Sequence, residues 1–172
     1  IPLIEYVAKT GKPMIISTGM ADEEEIKEAV DAARGAGCEE LVILHCVSGY
    51  PAPANDYNLT TIPDMRERFG VLTGLSDHTI DNTTAIASVA LGACLIEKHV
   101  TLDRNGGGPD DSFSLEKPDL EQLCRDSKTA WSSKGRVNYE RKDSEKDNMV
   151  FRRSLYAVEN IGVGEEFTTS NI

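Results

Sequence analysis

Four short apolar runs recur along the chain, each closed by polar residues. They are Met14-Ile15-Ile16-Ser17-Thr18, Leu41-Val42-Ile43-Leu44-His45-Cys46, Gly70-Val71-Leu72-Thr73-Gly74-Leu75 and Ala93-Cys94-Leu95-Ile96-Glu97-Lys98-His99. Each is too short for a helix of its own, and continuous apolar runs of this kind belong to strands buried in a parallel sheet. Between them the period lengthens to that of a helix. Asp22, with Glu25 three residues on, forms a capping-box pattern; Ile26, Ala29, Val30 and Ala33 make one face, and Gly35 and Gly37 stop it. Leu59 to Phe69 reads as a helix with Pro63 in its first turn. A further helix starts at Asp81 or Asn82 and turns Ala85, Ile86, Val89 and Ala90 inward, and Pro118 opens a last one running past Leu120, Leu123 and Cys124 towards Trp131. Residues 1–10 form a short helix closed by Gly11-Lys12-Pro13, while Pro51 and Pro53 keep the stretch from Val47 to Asn58 irregular.

Strands alternating with helices at intervals of about 25–30 residues indicate consecutive βα units in a parallel sheet. Every strand ends in polar residues: Ser17 and Thr18; His45 and, just beyond, Ser48; Ser76, Asp77 and His78; Glu97 and His99. A barrel assembles its site from all its strand ends, whereas a doubly wound sheet concentrates polar groups at one switch point. No G-x-G-x-x-G or P-loop is present, and Gly106-Gly107-Gly108 opens no helix. The expected architecture is therefore α/β, with four of the eight units of a (β/α)8 barrel over residues 1–133. Residues 134–150 are polar and charged and read as a linker. Arg152 to Val158 has the look of a strand, so that 151–172 reads as the start of a separate small β-rich domain. Because the chain opens at Ile1 inside a helix, it is expected to be a piece of a longer protein.

The net charge of −11 argues against nucleic acid or an anionic membrane as partner, although a local basic site could still take an anionic metabolite. No apolar run reaches 18 residues, and no basic segment precedes an apolar one in the manner of an export signal. The four cysteines, Cys38, Cys46, Cys94 and Cys124, lack C-x-x-C spacing and read as reduced, in a cytoplasmic protein.

His78 and His99 are the candidates for chemistry. They lie 21 residues apart (99 − 78), roughly a strand, a helix and a strand, which can bring both imidazoles to the same end of neighbouring strands. One histidine at a strand end is commonly a satisfied structural group; two at matching positions can hold a divalent metal with places left for water and substrate. Asp77 and Glu97 are expected as partners that fix the ring tautomers. His45 reads equally as polar wall or packed core. Ser48, Tyr50 and Ser76 can donate hydrogen bonds to an anionic substrate, and Asp110 lies in a loop over the strand ends.

These residues also carry a resemblance. Ile15-Ile16-Ser17-Thr18-Gly19-Met20, Leu44-His45-Cys46, Tyr50-Pro51-Ala52-Pro53, Gly74-Leu75-Ser76-Asp77-His78-Thr79, Glu97-Lys98-His99 and Gly108-Pro109-Asp110 occur in the order of the sialic acid synthase family, over nearly the whole chain. The resemblance implies the C-terminal half of a (β/α)8 barrel followed by the first strand of an antifreeze-like domain. It implies condensation of phosphoenolpyruvate with an N-acetylated amino sugar into a nine-carbon 2-keto acid, with release of phosphate, by an intact protein that is a homodimer. It makes His78 and His99 ligands of Mn²⁺ (or Mg²⁺ or Co²⁺) and, with Asp110, the catalytic set. Ser76 and Ser48 would contact phosphoenolpyruvate, with Ser48 standing where some relatives have Asn, and Tyr50 and Asp110 would face the sugar. Gly107 to Glu116 and Phe151 to Tyr156 look most like the pseudaminic acid branch, which uses a 2,4-diacetamido-2,4,6-trideoxy sugar; the neuraminate and legionaminate branches are the alternatives. The family's phosphoenolpyruvate-binding lysines and glutamates fall in the four units this sequence lacks, which implies that the chain by itself is inactive. A metal-dependent aldolase or lyase and a non-catalytic fragment are the rival readings.

Overall fold

The computed structural model describes residues 1–172 and divides into two compact units, Ile1–Gly135 and Arg136–Ile172. The first contains α1 (Pro2–Ala8), β1 (Met14–Ser17), α2 (Glu23–Gly35), β2 (Leu41–Cys46), α3 (Thr61–Phe69), β3 (Leu72–Asp77), α4 (Thr83–Ala90), β4 (Ile96–Lys98) and α5 (Lys117–Lys134). The strands pair in chain order, all parallel, as four consecutive βα units of a barrel. The capping box at α2 is present: Asp22 Oδ1 accepts the Glu25 N–H at 2.9 Å, and Glu25 returns the bond to Asp22.

Alternation along the strands divides the sheet into two faces. Met14, Ile16, Leu41, Ile43, Leu75 and Ile96 face the helices. There they join Val30 and Ala33 of α2, Ile62 and Met65 of α3, Ala85 of α4 and Leu123 of α5 in two packed clusters. The opposite face is layered along the strand direction. Ile15, Val42 and Leu72 are register partners and form the first row; Ser17, Leu44 and Gly74 form the second, and Cys46, Ser76 and Glu97 the third. The first row is apolar yet open, with Ile15 54% and Leu72 51% exposed.

Gly74 fills a place that no larger residue can. A Cβ there would meet the Leu95 carbonyl oxygen at 2.5 Å and Leu44 Cδ2 at 2.6 Å. The carbonyl is the rigid obstacle, because it already accepts the Leu75 N–H at 2.9 Å. Gly74→Ala is therefore expected to push β4 away from β3 and to cost about 1–3 kcal/mol, read by urea unfolding. A midpoint and slope matching the parent would show that the two strands yield freely here.

The second unit holds a 3₁₀ run from Asp143 to Phe151 and turns tied around Asn171, whose side chain accepts the Thr168 N–H and donates to Glu166 O. The strand expected over Arg152–Val158 does not form. Val158 N–H bonds Asn171 O, but no second strand lies alongside to complete a ladder, and an isolated strand leaves its polar backbone unpaired.

Candidate active site

Two loops, one after β2 and one after β4, converge on the strand ends. His78 stands one residue beyond β3 and His99 one beyond β4, on the inner face. Their rings lie 5.2 Å apart, centroid to centroid. Tyr50, carried by the first loop, covers both, 4.3 Å from the His78 ring and 5.9 Å from the His99 ring. Phe113, from the second loop, closes the far side 5.2 Å from His99.

Each imidazole has an oxygen beside the same nitrogen, and only His78 is hydrogen-bonded there. His78 Nδ1 lies 2.8 Å from Val47 O; a carbonyl can only accept, so this contact requires the proton on Nδ1, and in the neutral ring Nε2 is then the nitrogen with the lone pair. His99 Nδ1 lies 3.4 Å from Asp110 Oδ2. The peptide of His99 is fixed from the second loop as well, its carbonyl accepting the Leu115 N–H at 2.9 Å. Nδ1 partners of this kind orient imidazole ligands and raise the basicity of Nε2.

Asp77 and Glu97 do not partner the rings, contrary to the expectation from sequence. Strand β3 runs two residues further than its apolar run indicated, and neighbouring residues on a strand point to opposite faces. Asp77 thus turns towards the helices, where its carboxylate receives Lys98 Nζ at 2.8 Å; the two side chains are 0% and 4% exposed. Thr79 completes this knot, its N–H bonding Asp77 Oδ1 and its carbonyl accepting from Lys98 Nζ. Glu97 does lie on the inner face, but its carboxylate accepts Ser76 Oγ at 2.8 Å, one layer below the imidazoles. His45 faces the helices, partly buried, with its ring Nε2 against Tyr57 O.

The structure thus brings together Tyr50, His78, His99 and Asp110, with Ser76 directly below. Ser48 sits to one side, near Gly19 after β1. Asp110 owes its place to its neighbour. Asp111 accepts Thr101 Oγ1 at 2.6 Å and the Gly108 N–H at 2.7 Å, bonds that hold its carboxyl below the usual range and close the glycine loop. Tyr57 joins the site without a local sequence signal. It is fully buried, and its hydroxyl accepts the His78 N–H at 2.6 Å. Its loop also carries Val47, Tyr50, Ala52 and Ala54, so residue type alone does not mark it, although a buried phenol needs partners.

No third His, Cys, Asp or Glu joins the imidazoles in a metal-binding group. Two imidazole donors, each with an oxygen beside Nδ1, fit an ion that keeps several positions for water and substrate oxygens. The profile of the NeuB family matches residues 1–139. The chain belongs to the NeuB family. Among its relatives, an N,N'-diacetyllegionaminic acid synthase of Campylobacter jejuni is 39% identical over 175 residues, covering 100% of this chain and 52% of the relative. A pseudaminic acid synthase of the same species is 36% identical over 169 residues, covering 98% and 49%. The solved N-acetylneuraminic acid (sialic acid) synthetase of Leptospira borgpetersenii, in complex with citrate, superposes with a TM-score of 0.78 at 33% identity, over 90% of this chain and 54% of its own. This NeuB chain therefore spans about half the length of the relatives it matches. Its four units form a partial barrel of the sialic acid synthase type.

Proposed function

We propose that this chain supplies the sugar-activating half of a synthase that joins phosphoenolpyruvate to an N-acetylated amino sugar. The observation that carries this reading is the pair of imidazoles at adjacent strand ends, 5.2 Å apart, with Val47 O bonded to Nδ1 of one and Asp110 Oδ2 3.4 Å from Nδ1 of the other. His78 and His99 hold a divalent ion, Mn²⁺ by preference, which when bound supplies electrophilic polarisation at the sugar's aldehyde oxygen. Asp110 keeps the His99 ring in place and faces the acceptor. Tyr50 covers the pair and presents its hydroxyl to the sugar, while Ser76 and Ser48 offer hydrogen bonds to phosphoenolpyruvate. In the reaction, carbon 3 of phosphoenolpyruvate bonds to the aldehyde carbon, water adds at carbon 2, and phosphate leaves with cleavage of its C–O bond. Of the charged groups nearby, Lys98 is spent on Asp77, so the cations for the phosphate must come from further barrel units.

Within the family we favour the pseudaminic type of acceptor, on the motifs from Gly107 to Glu116 and Phe151 to Tyr156. The 39% identity to the legionaminic acid enzyme supports that branch as a second reading. The test supplies phosphoenolpyruvate, Mn²⁺ and each candidate acceptor sugar to this chain alone, and to this chain joined behind the first four units of the Campylobacter jejuni legionaminic acid synthase. Phosphate and keto acid are followed by mass spectrometry. The lone chain is expected to give no turnover, and the joined barrel to release phosphate with one diacetamido sugar. Use of pyruvate in place of phosphoenolpyruvate would assign an aldolase instead, and turnover by the lone chain would refute the division of labour.

A further inference from the structure

His78 lies just past the end of β3, where the sheet no longer supplies partners, and a single loop takes over its support. The loop between β2 and α3 holds the residue at four points. Ala52 N–H donates to the His78 carbonyl at 3.0 Å, Val47 O receives Nδ1 at 2.8 Å, Tyr50 packs on the ring, and Tyr57 Oη accepts the His78 N–H at 2.6 Å. Tyr57 is the deepest of these. It is 0% exposed, packs with Ile62, Leu75 and Leu115, and also reaches Ser76 O, at 3.5 Å. Its own carbonyl is met by His45 Nε2, which ties the loop back to β2. The hydroxyl thus accepts from the peptide of His78 and donates to the carbonyl of Ser76.

We propose that Tyr57 is a positioning residue that sets the placement of His78 as a metal ligand, acting through the backbone of residues 76–78 and not by touching the ion or substrate. The proposal rests on the two-imidazole reading given above. Only a residue with both a large apolar body and a terminal hydroxyl fits: the ring fills the core between β3 and the loop, and the oxygen meets a backbone donor that would otherwise be buried without a partner. The arrangement makes the β2–α3 loop a clamp whose inner end is Tyr57 and whose outer end is Tyr50.

The experiment measures Mn²⁺ affinity of the full 172-residue chain by calorimetry, beside Tyr57→Phe, Ile62→Val as a packing control in the same cluster, and His78→Ala. Tyr57→Phe is expected to weaken Mn²⁺ binding about tenfold, in the range seen when a ligand's support is removed, with Ile62→Val unchanged. Affinities are compared after correction for the folded fraction, which a purely structural role would not survive. If the parent binds Mn²⁺ and Tyr57→Phe binds equally well, this proposal is overturned while the two-imidazole reading stands. If the parent binds none, that reading fails and takes this one with it. Should Tyr57→Phe not fold, amide exchange in the parent decides. A His78 N–H protected like the amides of β3 supports the clamp; exchange at the rate of the exposed loops refutes it.

Discussion

Alanine at either His78 or His99 is expected to weaken Mn²⁺ binding about a hundredfold or more, measured by calorimetry against the unsubstituted chain. The size of the effect follows from the donor count. The site has two imidazoles and no third ionisable ligand, so each substitution removes half of the protein's contribution. Removing only the support of a ligand already costs roughly 10- to 100-fold in known sites, and loss of the ligand itself should exceed that. Asp110→Asn gives the graded comparison: it retains an oxygen 3.4 Å from His99 Nδ1 but loses the charge, and a loss of about tenfold is expected. Equal affinity in all four proteins would mean that the imidazoles do not share an ion. Loss in His78→Ala alone would mean that His99 serves the substrate instead.

Asp77→Ala should be the most damaging single change to stability among the residues around the site. The carboxylate is wholly buried, and removing it strands the Lys98 ammonium, itself 4% exposed, with only Thr79 oxygens for company. Breaking such a pair from one side costs about 3–5 kcal/mol, because the remaining charge is buried without its counterpart. Replacing both partners by apolar residues of similar size removes that penalty. The double variant Asp77→Leu with Lys98→Met is thus expected to recover most of the loss. Urea unfolding of the single and double variants reads both effects, and an Asp77→Ala protein within about 1 kcal/mol of the parent would show that the lysine finds water on losing its partner.

The contrast between these two predictions shows where the sequence was legible. The strands, their parallel order and the two histidines at matching ends could be read from apolar runs and spacing, because strands of a parallel sheet carry continuous apolar runs. The role of Asp77 could not. It depends on where β3 stops, and the run Gly70–Leu75 hid two further strand residues, Ser76 and Asp77, that are polar. Once they belong to the strand, alternation gives Ser76 and His78 to the site and Asp77 to the helices. The role of Tyr57 is hidden for a different reason: its partner is 21 residues away in sequence, and no local pattern reports such a contact. The expected strand at Arg152–Val158 had suitable residues, but strand formation is decided by a neighbour, which composition does not reveal.

The same alternation has a genetic consequence. At the ends of β3 and β4, site residues and anchoring residues are interleaved: Ser76, Asp77, His78 on one, Glu97, Lys98, His99 on the other. A point substitution touches one role. Loss or gain of a single codon within either strand would instead exchange the two sets on that strand, splitting the buried ion pair by aiming one of its partners at the cavity and turning an imidazole to the core. Length variation in this gene should therefore collect in the loops and stop abruptly at these two strands.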